Sequence, residues 1–163
     1  MRTALIGRKP RSTIIRVAVL IVTSLVVFGF ILRPTMIKGL SMEPTFKDHS
    51  FNFINRLAYL FHEPRRGDIV GISYSEERIT SVMLCKRIIG LPGETVEFAG
   101  GRVLINGQVL AEPYLKNPCN WSSPPVKLSP DQYYVVGDNR SMPIDDHYHG
   151  SARRGQIVGK MLL

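Results

Sequence analysis

Cysteine is nearly missing from this chain of 163 residues, which holds only Cys85 and Cys119. So few cysteines exclude a disulfide scaffold and a cysteine-based zinc site. Acidic side chains are wholly missing from residues 1–16, which carry Arg2, Arg8, Lys9, Arg11 and Arg16. Five of the eight net positive charges therefore lie in that short tail, and residues 17–163, with 16 basic and 13 acidic side chains, keep only +3. A nucleic-acid-binding domain spreads its positive charge over the folded part, so nucleic acid is not expected as a partner. The chain also lacks the Gly-x-Ser-x-Gly elbow of serine hydrolases, and no repeat at a solenoid period is evident. Wholesale disorder is excluded by the 44% of hydrophobic residues, and the length suits one domain of typical size.

What the N-terminal region does have is a long uncharged run. Residues 17–32 read VAVLIVTSLVVFGFIL, and Ile14 and Ile15 extend the run past Arg16. Counted from Ile14, with Arg16 reaching to the interface, the stretch is about 19 residues, enough to cross a hydrocarbon core. A cleaved signal peptide has a shorter apolar region ending in a small-x-small site, and Arg33-Pro34-Thr35-Met36 supplies none. The pattern predicts an uncleaved signal anchor over 14–32, a basic cytoplasmic tail over 1–13 and an extracytoplasmic domain over 33–163.

Beyond the anchor the fourteen Gly and eleven Pro punctuate short β-rich runs. Strands are expected at Ser50–Asn55, Ile69–Ile72, Ile79–Ile89, Thr95–Phe98, Arg102–Ile105, Gln108–Leu110 and Tyr133–Val136. Asn106-Gly107 is the strongest hairpin signal in the chain. Residues 116–130, with four prolines, read as a loop or linker. The fold class is therefore mainly β: an antiparallel β-sheet domain preceded by one N-terminal transmembrane helix.

Two residues stand out chemically. Ser41 lies in the turn Gly39-Leu40-Ser41-Met42-Glu43-Pro44, nine residues past Leu32, where backbone N–H groups can form an oxyanion hole. Lys86 lies inside the apolar strand Val82–Ile89, and alternation puts it and Arg87 on opposite faces. An amine that burial deprives of water loses proton affinity and becomes a general base near neutral pH. A lone strand lysine is more often a solvated one. The histidines His49, His62, His147 and His149 fall in no recognisable catalytic motif; His147-Tyr148-His149 places two imidazoles together without a third metal ligand in view. Cys85 reads as a small buried hydrophobe, Asp138-Asn139 as a turn builder, and Trp121 as either a lipid-headgroup contact or a local packing residue.

Four motifs occur in order: Ser41-Met42-x-Pro44; Arg66-Gly67-Asp68-Ile69-Val70; Lys86-Arg87-Ile88-Ile89-Gly90-Leu91-Pro92-Gly93-Glu94; and Gly137-Asp138-Asn139-Arg140 followed by Asp145 and Gly150. In that set and order, over roughly residues 14–160, the chain resembles the type I signal peptidase family. The resemblance implies a Ser–Lys dyad with Ser41 as nucleophile and Lys86 as general base, and no metal or organic cofactor. It implies an oxyanion hole built on the Ser41 N–H, since Gly39 stands where some members carry a hydroxyl. Asp145 matches the family's aspartate that supports the wall of the site. Pro143 stands where the family often has serine and His147 where it often has arginine, which leaves Ser141 to replace the missing hydroxyl and Arg140 or His147 to pair with Asp145. Ile37, Met42, Leu84 and Cys85 are expected to line shallow substrate pockets, with the substrate added as a strand beside Met36–Lys38 and Met83–Lys86. The implied partners are signal-peptide-bearing preproteins, the lipid bilayer and the protein export machinery, in a bacterial plasma membrane. Two rivals are an inactive membrane-anchored β module and an SOS-repressor-like Ser–Lys autoprotease; the latter is soluble and carries a DNA-binding helical segment, which residues 1–35 match poorly.

Overall fold

An apolar helix runs straight into the edge strand of a sheet. The computed structural model describes residues 10–73, 83–117 and 119–162. Helix α1 (Pro10–Val26) is followed by a π-helical turn over Val27–Ile31. The two make one rod of 22 residues, whose most apolar 18-residue stretch has a mean hydropathy of 2.6; the rod is about 33 Å long at 1.5 Å per residue. Helix α1 has no buried residue. Pro34 forces Arg33 into extended backbone, and the chain changes to strand at Leu32, where φ is −109° and ψ is 108°. Among the described residues the helix is already formed at Pro10, before the expected anchor, and it stops one residue short of Leu32.

Two antiparallel sheets follow. The larger holds β1 (Leu32–Met36), β2 (Phe51–Asn55), β3 (Ile69–Ser73), β4 (Met83–Gly90), β9 (Gln132–Val136), β10 (Gly150–Arg153) and β11 (Ile157–Met161). Its strand order is β1-β2-β11-β3-β4-β9-β10. The smaller holds β5 (Thr95–Ala99), β6 (Arg102–Ile105), β7 (Gln108–Val109) and β8 (Ser123–Lys127), in the order β7-β6-β5-β8. Pro34 is tolerated because β1 is an edge strand, where half of the N–H groups need no partner. The same rule corrects the expected loop at 116–130: Ser123–Lys127, despite Pro124 and Pro125, pairs along β5 as the outer strand of the smaller sheet. A register shift between Val96 and Phe98 absorbs the misfit. The Asn106-Gly107 turn joins β6 to β7 as expected, with φ of 51° and 80°. The long strand expected from Ile79 is seen from Met83; its earlier residues lie outside those described.

Strands β4 and β9 are buried on both faces, which explains their nearly continuous apolar runs. Ile89, Tyr134 and Val136 face a core shared with the smaller sheet, around Phe98 and Trp121. Ile88, Tyr133 and Val135 face a second core with Val70, Ile72 and Ile157. A third core, of Ile37, Met42, Phe46, Ile54, Ile69 and Met161, lies under the Ser41 turn. Trp121 is 2% exposed and its indole N–H donates to the Met142 carbonyl at 2.8 Å, so of its two expected roles the structure takes local packing.

Candidate active site

Ser41 sits in a short 3-10 turn, Leu40–Met42, between β1 and β2. Gly39 enters it at φ 98°, a conformation that disfavours a Cβ, and its N–H donates to Asp48 Oδ1 at 2.7 Å. The turn closes from the Glu43 N–H to the Leu40 carbonyl, so a 3-10 pattern leaves the Ser41 N–H without an intrahelical acceptor. Met42 anchors the turn by burying its side chain in the third core.

Lys86 comes from the middle of β4, paired opposite Val70 of β3. Its Nζ lies 2.6 Å from Ser41 Oγ, and the residue is 2% exposed. Burial pushes the amine down from 10.5 to about 8, against smaller opposing contributions from Cys85 and Asp138. A neutral Nζ accepts the Ser41 hydroxyl hydrogen at that distance, the geometry a general base needs. Burial pushes the Cys85 thiol up to about 12, which keeps it protonated beside the amine. Cys85 and Cys119 are both free thiols.

A groove beside the pair is lined by Thr35–Lys38, Met42, Ile54, Gly71, Met83–Cys85 and Met161, and encloses about 40 Å³. Four expected pocket residues, Ile37, Met42, Leu84 and Cys85, all lie on this lining. On the β9 side, pairing begins only at Arg87, so the Met83–Lys86 half of β4 has no ladder partner there among the described residues.

Arg87 is also buried, at 8% exposure, so both members of the Lys86-Arg87 pair point into the protein. Arg87 makes two hydrogen bonds to Asp138, at 2.8 and 2.6 Å, donates to the Gly67 carbonyl, and stacks 3.9 Å from the centre of the Tyr114 ring. Thr45 Oγ1 donates to Asp138 Oδ2 at 2.5 Å. Asp138 therefore ties the Ser41 turn to the strand that carries Lys86. Asn139 completes the clamp: its N–H donates to the Ser41 carbonyl at 3.0 Å and its Nδ2 donates to the Leu40 carbonyl at 3.1 Å. Sequence reasoning took Asp138-Asn139 for a turn builder and missed this coupling. The signal available was the placement of an acid and an amide straight after a buried strand, where each needs a partner.

The last motif is arranged differently from what the resemblance implied. Ser141 Oγ donates to Asn139 Oδ1 at 2.7 Å and not to Lys86. Arg140 is 1% exposed and pairs with Glu112 at 2.6 Å, and His147 Nε2 accepts from the Gly137 N–H at 2.9 Å. Neither therefore takes Asp145, which lies exposed on the turn Ile144–Asp146. Among the described residues no group of three or more His, Cys, Asp and Glu side chains is placed to hold a metal ion. His147 and His149 instead pack against Trp121.

Residues 11–163 match the family described as Signal peptidase, peptidase S26. The chain belongs to the signal peptidase family. Signal peptidase I of Leptolyngbya laminosa is 36% identical over 148 residues, which cover 88% of this chain and 73% of that protein. Probable signal peptidase I-2 of Synechocystis sp. is 35% identical over 137 residues, 82% of this chain and 63% of that protein. Signal peptidase I P of Bacillus subtilis subsp. natto is 33% identical, covering 79% of this chain and 73% of its own length. A crystal structure of a signal peptidase I from Enterococcus faecalis aligns with a TM-score of 0.48 and 27% identity over 61% of this chain and 97% of that one. As a signal peptidase the chain is a hydrolase of peptide bonds, and its mainly β architecture with one apolar N-terminal helix is the one the motifs led us to expect.

Proposed function

We propose that this signal peptidase is a membrane-bound serine endopeptidase that cleaves signal peptides from exported preproteins with Ser41 and Lys86 as a catalytic dyad. The observation that carries the reading is the 2.6 Å approach of Lys86 Nζ to Ser41 Oγ in a site where the amine is almost free of water. Ser41 Oγ attacks the scissile carbonyl as its proton passes to Nζ. The oxyanion is met by the Ser41 N–H, which donates to no backbone acceptor among the described residues. Collapse releases the amine of the mature protein, which takes its proton from the Lys86 ammonium. A water deprotonated by Lys86 then attacks the acyl-enzyme, the ester bond to Ser41 breaks, and the Lys86 ammonium returns its proton to Ser41 Oγ, which leaves the amine neutral again.

The groove supports a small-residue specificity: Ile37, Met42, Ile54, Met83 and Met161 close in on the space beside the pair and leave it narrow. Gly71 keeps it open, since a Cβ there would lie 2.6 Å from Ile54 Cδ1 and 3.4 Å from Met83 Sδ, both on the lining. Gly71→Ala is expected to lower kcat/KM for an alanine-bearing cleavage site by about tenfold, the lower end for one methyl group in a pocket. A peptide series with glycine and alanine before the scissile bond would read the change.

The membrane setting rests on the exposed apolar rod of residues 10–31. The Arg56 N–H donates to the Ile31 carbonyl at 2.9 Å, so the end of the rod is joined to the segment after β2. Leu57, Leu60 and Phe61 in that segment are exposed apolar side chains. With the basic tail inside, the dyad works near the outer bilayer surface, where an exported segment emerges.

The test is cleavage of a purified preprotein by the full chain in detergent across pH. The base acts only when neutral, so kcat/KM should rise about tenfold per pH unit below pH 8 and level off above it. A profile flat from about pH 6 to 9 would remove Lys86 as the base.

A further inference from the structure

We infer that His147 is a positioning residue for the nucleophile: its Nε2 accepts the Gly137 amide hydrogen and so holds the 137–139 turn against the peptide that carries Ser41. The inference rests on the assignment of Ser41 as nucleophile. The amide only donates, so the Nε2 facing it at 2.9 Å carries a lone pair and the ring proton is on Nδ1. Nδ1 is fully buried and has no hydrogen-bond partner among the described residues. A buried N–H without a partner is unfavourable, and a leucine or phenylalanine would fill the space under Trp121 without it. What only the imidazole supplies is the acceptor. Burial, together with the charges of Lys86 and Arg140 and against a smaller opposing effect of the Asn139 backbone, pushes the ring down to about 3, which leaves Nε2 unprotonated at neutral pH.

The held turn is in direct contact with the nucleophile's backbone. A Cβ on Gly137 would overlap both the Ser41 carbonyl oxygen and the His147 ring, so the turn is wedged between them. Two residues on, Asn139 grips the carbonyls of Leu40 and Ser41. The Leu40 carbonyl and the Ser41 N–H share one planar trans peptide, so fixing the oxygen fixes the direction of the opposite hydrogen. That hydrogen is the donor to the oxyanion. The ring itself is set from behind, with Trp121 4.8 Å away at a steep angle and its indole hydrogen-bonded to Met142.

Three substitutions in the full chain separate acceptor from bulk. Gln reaches an oxygen to the Nε2 position, Asn reaches only the Nδ1 position, and Leu offers none. H147L and H147N are expected to lower kcat by about tenfold or more, as slight misplacement of reacting groups does, with KM within about threefold of wild type. H147Q should recover kcat to within about threefold. Wild-type kcat in H147L, or equal kcat in H147Q and H147N, would overturn the role. Amide hydrogen exchange at Gly137 and Asn139 is read in parallel. Protection retained in H147Q and lost in H147N supports the role, and equal protection in both refutes it. This second readout decides the matter if H147L does not fold. It also decides it if the wild type cleaves no preprotein, a result that would sink the proposed function instead.

Discussion

Lys86→Met should abolish cleavage and make the folded protein more stable. General-base help contributes roughly 10²–10⁴-fold, and the proposed mechanism uses Lys86 in both acylation and deacylation, so kcat should fall toward the upper end of that range. The stability gain follows from the sign of the lysine's titration. Its folded value, about 8, lies below the ordinary 10.5, so below pH 8 both folded and unfolded chains hold the proton and the buried ammonium carries its full penalty. That penalty is about 3 kcal/mol at 1.36 kcal/mol per pH unit, and it disappears as pH rises from 8 to 10.5. Methionine keeps the bulk without the charge. Chemical denaturation at pH 7 should therefore find the variant more stable, with the difference shrinking toward pH 10. An active variant, or one destabilised at pH 7, would contradict the assignment. Ser41→Ala should lose activity equally without the pH-dependent gain, which separates the two roles.

Asp138→Ala is expected to be the most damaging structural change. The Asp138 side chain is 0% exposed and Arg87 9% exposed, and removing the carboxylate strands a buried guanidinium. Breaking such a pair costs roughly 3–5 kcal/mol, on the order of 10 °C in Tm for a chain of this size. The double variant Arg87→Met/Asp138→Leu should regain much of that stability, because an apolar pair needs no charge compensation. It should not regain activity, because Thr45 loses its acceptor and the Ser41 turn is no longer tied to β4. Thermal melts and cleavage rates on the single and double variants check both statements. Equal loss of stability in both would show that the clamp acts through shape and not through charge.

Local chemistry explains which elements were readable in advance. The apolar rod, the Asn106-Gly107 hairpin and the strands at Phe51, Ile69, Thr95 and Gln132 each carry their signal within a few neighbouring residues. Strand β8 was missed because two prolines erase that signal; only the β5 edge beside it makes Ser123–Lys127 a strand. Ser41 and Lys86 were named from motif order, 45 residues apart, and no pattern in the chain fixes their separation in space. Ser141 and Asp145 were assigned as supports on the same basis, yet the nearest acceptors and donors lie elsewhere: Asn139 holds Ser141, and Glu112 takes Arg140.

By itself the sequence determined an apolar span behind a basic tail, a turn-rich antiparallel β chain, and the side chains able to act as nucleophile and base. Those depend on composition, period and short-range backbone preference, which neighbouring residues impose on one another. Only the tertiary structure decided that the amine is dry and within reach of the hydroxyl. Only it decided that Asp138 and Asn139 bind the two halves of the site, and that His147 stands behind Gly137. Burial and hydrogen-bond pairing across 51 or 99 residues are set by how sheets stack, and the same side chains in solvent would be an ordinary lysine, an ordinary serine and a titrating histidine.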